Sequence, residues 1–156
     1  MAVTKPVWRD VKRPTVVGQD VFAQLLDLEL RKACRLRYCV STVIIGVDPP
    51  GAGPYGSLAA LAEAMAARVR ATDLVAVIPP GFLALLLVDA PMTSLQSVVG
   101  RLAAQTGLSD TPAVWSAGGS CYPESDQRIE DLFHRATGLL LRAAAEGGNQ
   151  LLLPPS

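Results

Sequence analysis

The sequence predicts an α+β fold: a mixed central sheet with helices packed on it, a sandwich of the split-βαβ type. Three observations lead there. Segments with helical and with strand periodicity alternate along nearly the whole chain. Two apolar runs, 74–78 and 83–88, are separated by little more than Pro79-Pro80-Gly81, which makes them a hairpin. The other strands are separated by helical segments, and those connections have to cross over the sheet.

Residues 1–19 are polar and Pro-containing, a poorly ordered lead-in or a packed extended arm, and the domain proper runs over 20–156. From Asp20 the spacing turns helical, with Phe22, Leu25, Leu26 and Leu30 on one face as far as Leu36. "YCVSTVIIGV" (38–47) is β-branched and bounded by Asp48-Pro49-Pro50-Gly51, so it reads as a buried strand. Leu58, Leu61, Ala62 and Met65 mark an alanine-rich helix ending near Arg70. The hairpin follows. Its two adjacent prolines are unusual in a turn, because each fixes φ and removes a backbone donor. Leu95, Val98, Val99 and Leu102 form a further amphipathic helix closed by Gly107. "AVWSAGGSCY" (113–122) is a strand containing glycines. Ile129, Leu132, Phe133, Ala136, Leu140 and Ala143 mark a long last helix, stopped by Gly147-Gly148, and "NQLLL" is a short final strand.

Bulk properties narrow the function. The 156 residues suit one domain, and Lys plus Arg balance Asp plus Glu at 14 each. A neutral chain offers no electrostatic argument for nucleic acid or a membrane surface. The longest apolar run, "FLALLLV", is too short to cross a bilayer, and the start "MAVTKPVWRDVKRP" lacks the apolar core of a signal peptide. Cys34, Cys39 and Cys121 show no CxxC or metal-type spacing and read as reduced, buried thiols of a cytoplasmic protein. His134 has no partner at metal spacing and reads as a helix-surface residue. Trp115 and Tyr122 read as core and strand-edge aromatics. The basic cluster Arg31, Lys32, Arg35 and Arg37 reads as the end of a surface helix.

Three strings in order resemble the GGDEF domain of diguanylate cyclases, over roughly residues 14–153. "RATDLVAVIPPGFLALLL" is similar to that family's R-x-x-D, five residues, G-G-D-E-F and an apolar strand. "SAGGSCYP" (116–123) resembles its S-x-G strand followed by Tyr-Pro. "ATGLLLRAAAEGGN" (136–149) resembles its closing A-D-x-A-L-Y-x-A-K-x-x-G-R-N, with Ala136, Leu140, Ala143, Gly147 and Asn149 identical. The resemblance implies a nucleotide-cyclase-like, palm-like sandwich.

The departures from that pattern fall on the positions that would make cyclic di-GMP. Pro79-Pro80-Gly81-Phe82-Leu83 stands where the family has G-G-D-E-F. Prolines offer no N–H to a phosphate, and Gly81 and Phe82 cannot hold a cation, while phosphoryl transfer depends on metal and preorganised charge. The family's D-x-D becomes Gly46-Val47-Asp48, and its triphosphate-contacting lysine corresponds to Ala144, with Thr137 at the neighbouring acidic position. The loop "PPGAGPYGS" lacks the Asn and Asp that read guanine, and the early L-T-G-L-x-N-R reads "PTVVGQD" (14–20). Asp48 alone is more simply a turn residue than a metal ligand. The resemblance therefore implies a degenerate domain with no catalytic residues and neither metal nor cofactor.

What remains is Arg70-Ala71-Thr72-Asp73. In the family this R-x-x-D forms the inhibitory site for cyclic di-GMP, and Arg101 falls in the register of the arginine that completes it. Taken alone, Arg70 and Asp73 also read as a surface ion pair at a helix end, and Arg101 as a solvated charge. With the resemblance, Arg70, Asp73 and Arg101 are the expected ligand-binding residues, all three on the surface. The expected function is a cyclic di-GMP receptor or regulatory module of bacterial second-messenger signalling, with a protein partner or a second copy as associate. The alternative is a ligand-independent interaction or dimerisation domain of the same fold.

Overall fold

The computed structural model describes residues 16–155. The expected lead-in lies outside the described residues up to residue 15. Its end, at Val17, makes a parallel bridge to Ala76, with the Val17 N–H donating to the Val75 carbonyl at 3.0 Å. At least that part is an extended arm on the sheet edge.

The elements are α1 (Gln19–Leu36), β1 (Val40–Asp48), α2 (Leu58–Ala66), β2 (Leu74–Ile78), β3 (Phe82–Val88), α3 (Leu95–Gln105), β4 (Val114–Tyr122), α4 (Ile129–Ala145) and β5 (Gln150–Leu152). Their order is the one expected from the sequence. The strands form one mixed sheet in the order β2-β3-β1-β4-β5. β1 is antiparallel to both β3 and β4, β2 to β3, and β4 is parallel to β5. β1 and β2 therefore run the same way with β3 inserted between them. β3 and β4 likewise run the same way around β1. These are the two split crossovers of the expected fold class.

The helices lie in two layers, because successive strand side chains point to opposite faces. Val43, Ile45, Leu83, Leu85 and Leu87 face one way and pack with Leu61 and Met65 of α2 and Leu95, Val99 and Leu102 of α3. Val40, Ile44, Ala84 and Leu86 face the other way and pack with Phe22 and Leu26 of α1 and Leu132, Ala136 and Leu140 of α4. Helix α4 sits hard against β4. A Cβ on Gly118 would stand 2.0 Å from the Ala136 carbonyl oxygen, so only glycine allows this approach.

Two details differ from expectation. Helix α2 ends at Ala66 rather than near Arg70. Ala66 is the last residue of its buried stripe, and the Arg68 and Val69 N–H groups both turn back to the Met65 carbonyl. Of the three cysteines expected to be buried, Cys121 is buried, Cys39 is partly buried and Cys34 is exposed on α1.

Candidate functional site

Past α2 the chain turns through Arg68 and Val69 and closes a tight loop, in which the Asp73 N–H donates to the Arg70 carbonyl at 2.9 Å. That loop brings Arg70 back over Asp73. One Asp73 oxygen, Oδ2, accepts from the Arg70 backbone N–H at 3.2 Å and from Arg70 Nε at 3.4 Å. The other, Oδ1, accepts from the Val88 N–H at 2.9 Å. Arg70 Nη2 in turn donates to the Val88 carbonyl. The pair thus ties the loop before β2 to the far end of β3.

Their exposures differ sharply. The Arg70 side chain is 60% exposed and that of Asp73 only 4%. The expectation that Asp73 lies on the surface is corrected. It is buried because a backbone N–H at the end of β3 and another in its own loop need an acceptor, and its carboxylate supplies both. Arg70 also does not end a helix, since α2 has already stopped.

The three expected residues do meet. Arg70, Asp73 and Arg101 line one cleft of about 290 Å³, with Arg101 reaching it from α3. Ala90, Pro91, Val98 and Leu102 supply apolar wall, and Arg68 and Asp89 stand at its rim. Arg101 is exposed, and neither it nor the Asp89 side chain makes a hydrogen bond or ion pair among the described residues. Arg68 Nη1 donates to the Ala64 carbonyl at 2.8 Å. Sequence reasoning missed Arg68 and Asp89. Arg68 had a signal, its place two residues before Arg70 in "RVRATD". Asp89 had none, because only the pairing of β2 with β3 brings residue 89 beside residue 73.

The opposite end of β3 carries the hairpin turn. Ile78 pairs with Phe82, and residues 79–81 make the turn, with Gly81 at φ 153°. Beside it is a cleft of about 190 Å³ lined by Gly46, Asp48, Phe82, Val114, Leu140 and Ala144, among others. Apolar groups flank Gly46, since a Cβ there would stand 3.4 Å from both the Phe82 ring and the Leu140 Cδ1. Val114 and Leu141 expose 37% and 57% of their surface at its edge. Asp48 is the one carboxylate in its lining. A triphosphate with its divalent metal needs several anionic oxygens and cationic donors, and this lining does not fit it. Among the described residues, no group of three or more His, Cys, Asp or Glu gathers where it could hold a metal ion.

By sequence the chain matches no protein-family model and no curated protein. By structure it has the fold of GGDEF domains. It is similar to the GGDEF domain of TpbB (also YfiN) from Pseudomonas aeruginosa, with a TM-score of 0.76 and 22% identity over 90% of this chain and 91% of that one. It is similar to the FimX GGDEF domain from Pseudomonas aeruginosa, with a TM-score of 0.69 and 20% identity over 92% and 100%. The coiled coil and GGDEF domain of DgcB from Caulobacter crescentus, solved in complex with c-di-GMP, gives a TM-score of 0.71 and 12% identity over 95% and 88%. No described helix is long and apolar enough to cross a membrane.

Proposed function

We propose that this chain is a GGDEF-fold domain that does not synthesise cyclic di-GMP and binds it, as a receptor or regulatory module, in the cleft between Arg70 and Arg101. The observation that carries this reading is the convergence of Arg70, Asp73 and Arg101 on one cleft. Cyclic di-GMP has two phosphates and two guanines. An arginine forks onto guanine O6 and N7, or onto a phosphate. Arg70 uses only part of its donor set on Asp73 and Val88, and what remains is exposed. Among the described residues, nothing bonds the Arg101 guanidinium. The apolar wall of Ala90, Pro91, Val98 and Leu102 suits the face of a base.

Calorimetry with cyclic di-GMP tests the reading. Arg70→Ala removes a charge-assisted contact that contributes on the order of 1.5–3 kcal/mol, hence a roughly ten- to hundred-fold loss of affinity. Arg101→Ala weakens binding less if it meets only a phosphate. No heat from the unaltered protein at high micromolar ligand, or unchanged binding by both variants, overturns the receptor reading. Catalytic silence has its own test: GTP with magnesium or manganese yields no cyclic di-GMP above a protein-free blank. Product proportional to protein concentration would refute it.

One observation favours the second reading, a ligand-independent interaction domain. Val114 and Leu141 are large, apolar and exposed beside the cleft at the hairpin. A protein silent in the calorimeter that still associates with itself or a partner, and loses that association with Leu141→Ser, belongs to this class.

A further inference from the structure

We infer that the cleft beside the hairpin is a binding site for a small hydroxylated aromatic amine, held between Ser116 and Asp48 with its ring over Gly46. The inference is independent of any ligand at the Arg70–Arg101 cleft, which lies at the other end of β3.

The site is built on one patch of the sheet. In the pairing of β1 with β4, Gly46 stands opposite Ser116 and Asp48 opposite Val114. Alternation along the strands puts these four positions on one face. It is the face that carries α4, since Ser120, on the same side of β4, donates its hydroxyl to the Leu132 carbonyl at 2.8 Å. Gly46 has no side chain and Ala144 only a methyl group. A hollow of about 190 Å³ is therefore left, with the Phe82 ring and Leu140 as its flanks. A dry apolar cavity of about 150 Å³ accepts a benzene ring. The hollow has the size for one aromatic ring with a short arm.

Two polar groups in its lining are unengaged. Ser116 is 4% exposed, yet among the described residues its hydroxyl has no hydrogen-bond partner. Ser120 commits its hydroxyl to α4, whereas Ser116 faces the hollow. A hydroxyl in so closed a place meets little water, so a ligand group bonded to it loses little in the exchange. The Asp48 carboxylate is exposed, and among the described residues it too makes no hydrogen bond or ion pair.

Charge and spacing then select the ligand. The lining holds no Lys or Arg, so an anion finds no counter-charge there, while an ammonium group finds Asp48. Ser116 and Asp48 occupy diagonal positions on neighbouring strands, roughly 7–8 Å apart at Cα. A para-hydroxyphenyl ring with an ethylamine arm spans such a gap. Its ring lies over Gly46 between Phe82 and Leu140, its hydroxyl meets Ser116, and its ammonium meets Asp48.

The test is an NMR titration of the amide spectrum with tyramine. The comparison probes are phenethylamine, which lacks the ring hydroxyl, and para-hydroxyphenylpropionate, which carries a carboxylate instead of the ammonium. Tyramine should bind in roughly the micromolar to millimolar range, as suits so small a ligand, and more tightly than either probe. Its shifts should centre on the amides of Gly46, Ser116 and Ala144. Ser116→Ala should lose tyramine affinity roughly two- to ten-fold and no longer separate it from phenethylamine. Asp48→Asn should lose roughly two- to five-fold, the scale of an exposed ion pair, and narrow the preference over the propionate. Ala144→Phe, at an exposed helix position, should fill the hollow and abolish binding while the rest of the amide spectrum stays in place. No shifts at millimolar tyramine, shifts centred on Arg70 and Arg101, or undiminished binding by Ala144→Phe overturns the assignment. Equal binding of all three probes by the unaltered protein also overturns it, because a merely apolar hollow would not choose among them.

Discussion

At the scale of single residues, Asp73 is a structural member of its short motif, and the proposed function gives Arg70 the contact with the ligand. Asp73→Ala leaves the part-buried N–H groups of Arg70 and Val88 without their carboxylate acceptor. Each such loss costs roughly 1–3 kcal/mol. In a domain of about this size 1 kcal/mol moves the melting temperature by roughly 2–4 °C, so Asp73→Ala should melt several degrees lower. Arg101→Ala changes an exposed side chain and should melt within a degree or two of the unaltered protein, while Arg70→Ala takes donors from Asp73 and the Val88 carbonyl and should melt lower, by less than Asp73→Ala. Differential scanning calorimetry on the three variants checks the division, and equal melting of Asp73→Ala would show the carboxylate to be dispensable to the fold. The spacing of the motif is visible in the sequence, but the burial of its aspartate is not. Burial arises because residues 70–73 close on themselves and because the Val88 N–H, fifteen residues on, donates to this carboxylate.

At the scale of elements, the hairpin of β2 and β3 joins the two clefts. Phe82 stands at one end of β3 and Val88 with Asp89 at the other, roughly 20 Å apart by the rise of a strand. Restoring G-G-D-E-F through Pro79→Gly, Pro80→Gly, Gly81→Asp, Phe82→Glu and Leu83→Phe should not yield a cyclase. Gly46 still lacks a carboxylate and Ala144 an ammonium group. Leu83 is fully buried, so the larger phenylalanine overpacks the α2–α3 layer at a cost of about 1–3 kcal/mol. The variant should melt lower and form no cyclic di-GMP from GTP, and measurable turnover would show that the rest of this face is still competent. Element order and type were legible because the helices repeat apolar residues near every four positions, while the strands, covered on both faces, are short continuous apolar runs bounded by turn residues. The end of α2 was not. Alanines at 66 and 67 continue any helical pattern, and only the turn of Arg68 and Val69 onto Met65 stops it. The apolar hairpin cleft was half legible. The loss of charge at positions 46, 81, 82 and 144 can be read directly, whereas its lining by Phe82 and Leu140 follows from the register of β1 with β3 and the seat of α4 on β4.

At the scale of the whole molecule, the two ends of the sheet should respond differently to nucleotides, and folding stability reports which end is occupied. A ligand bound by the folded chain alone adds RT ln(1 + [L]/Kd), about 2.7 kcal/mol at a hundred-fold excess over Kd. For a domain of this size that raises the melting temperature by roughly 5–10 °C. Cyclic di-GMP, held at the Arg70–Arg101 cleft, should give a rise of that size. GTP with magnesium should give none, because the cleft at the hairpin offers a triphosphate Phe82, Leu140 and Ala144, with a single carboxylate, Asp48, and no Lys or Arg in its lining. Arg70→Ala should flatten the response to cyclic di-GMP, and Arg101→Ala should weaken it from an unchanged ligand-free melting point, which separates lost binding from lost structure. Asp73→Ala should start lower and also respond less, because it loosens the loop that carries Arg70. A scan in which GTP with magnesium stabilises the protein as much as cyclic di-GMP does would move the ligand to the hairpin end and refute this assignment. A flat response to both would leave the exposed Val114 and Leu141 face as the functional surface.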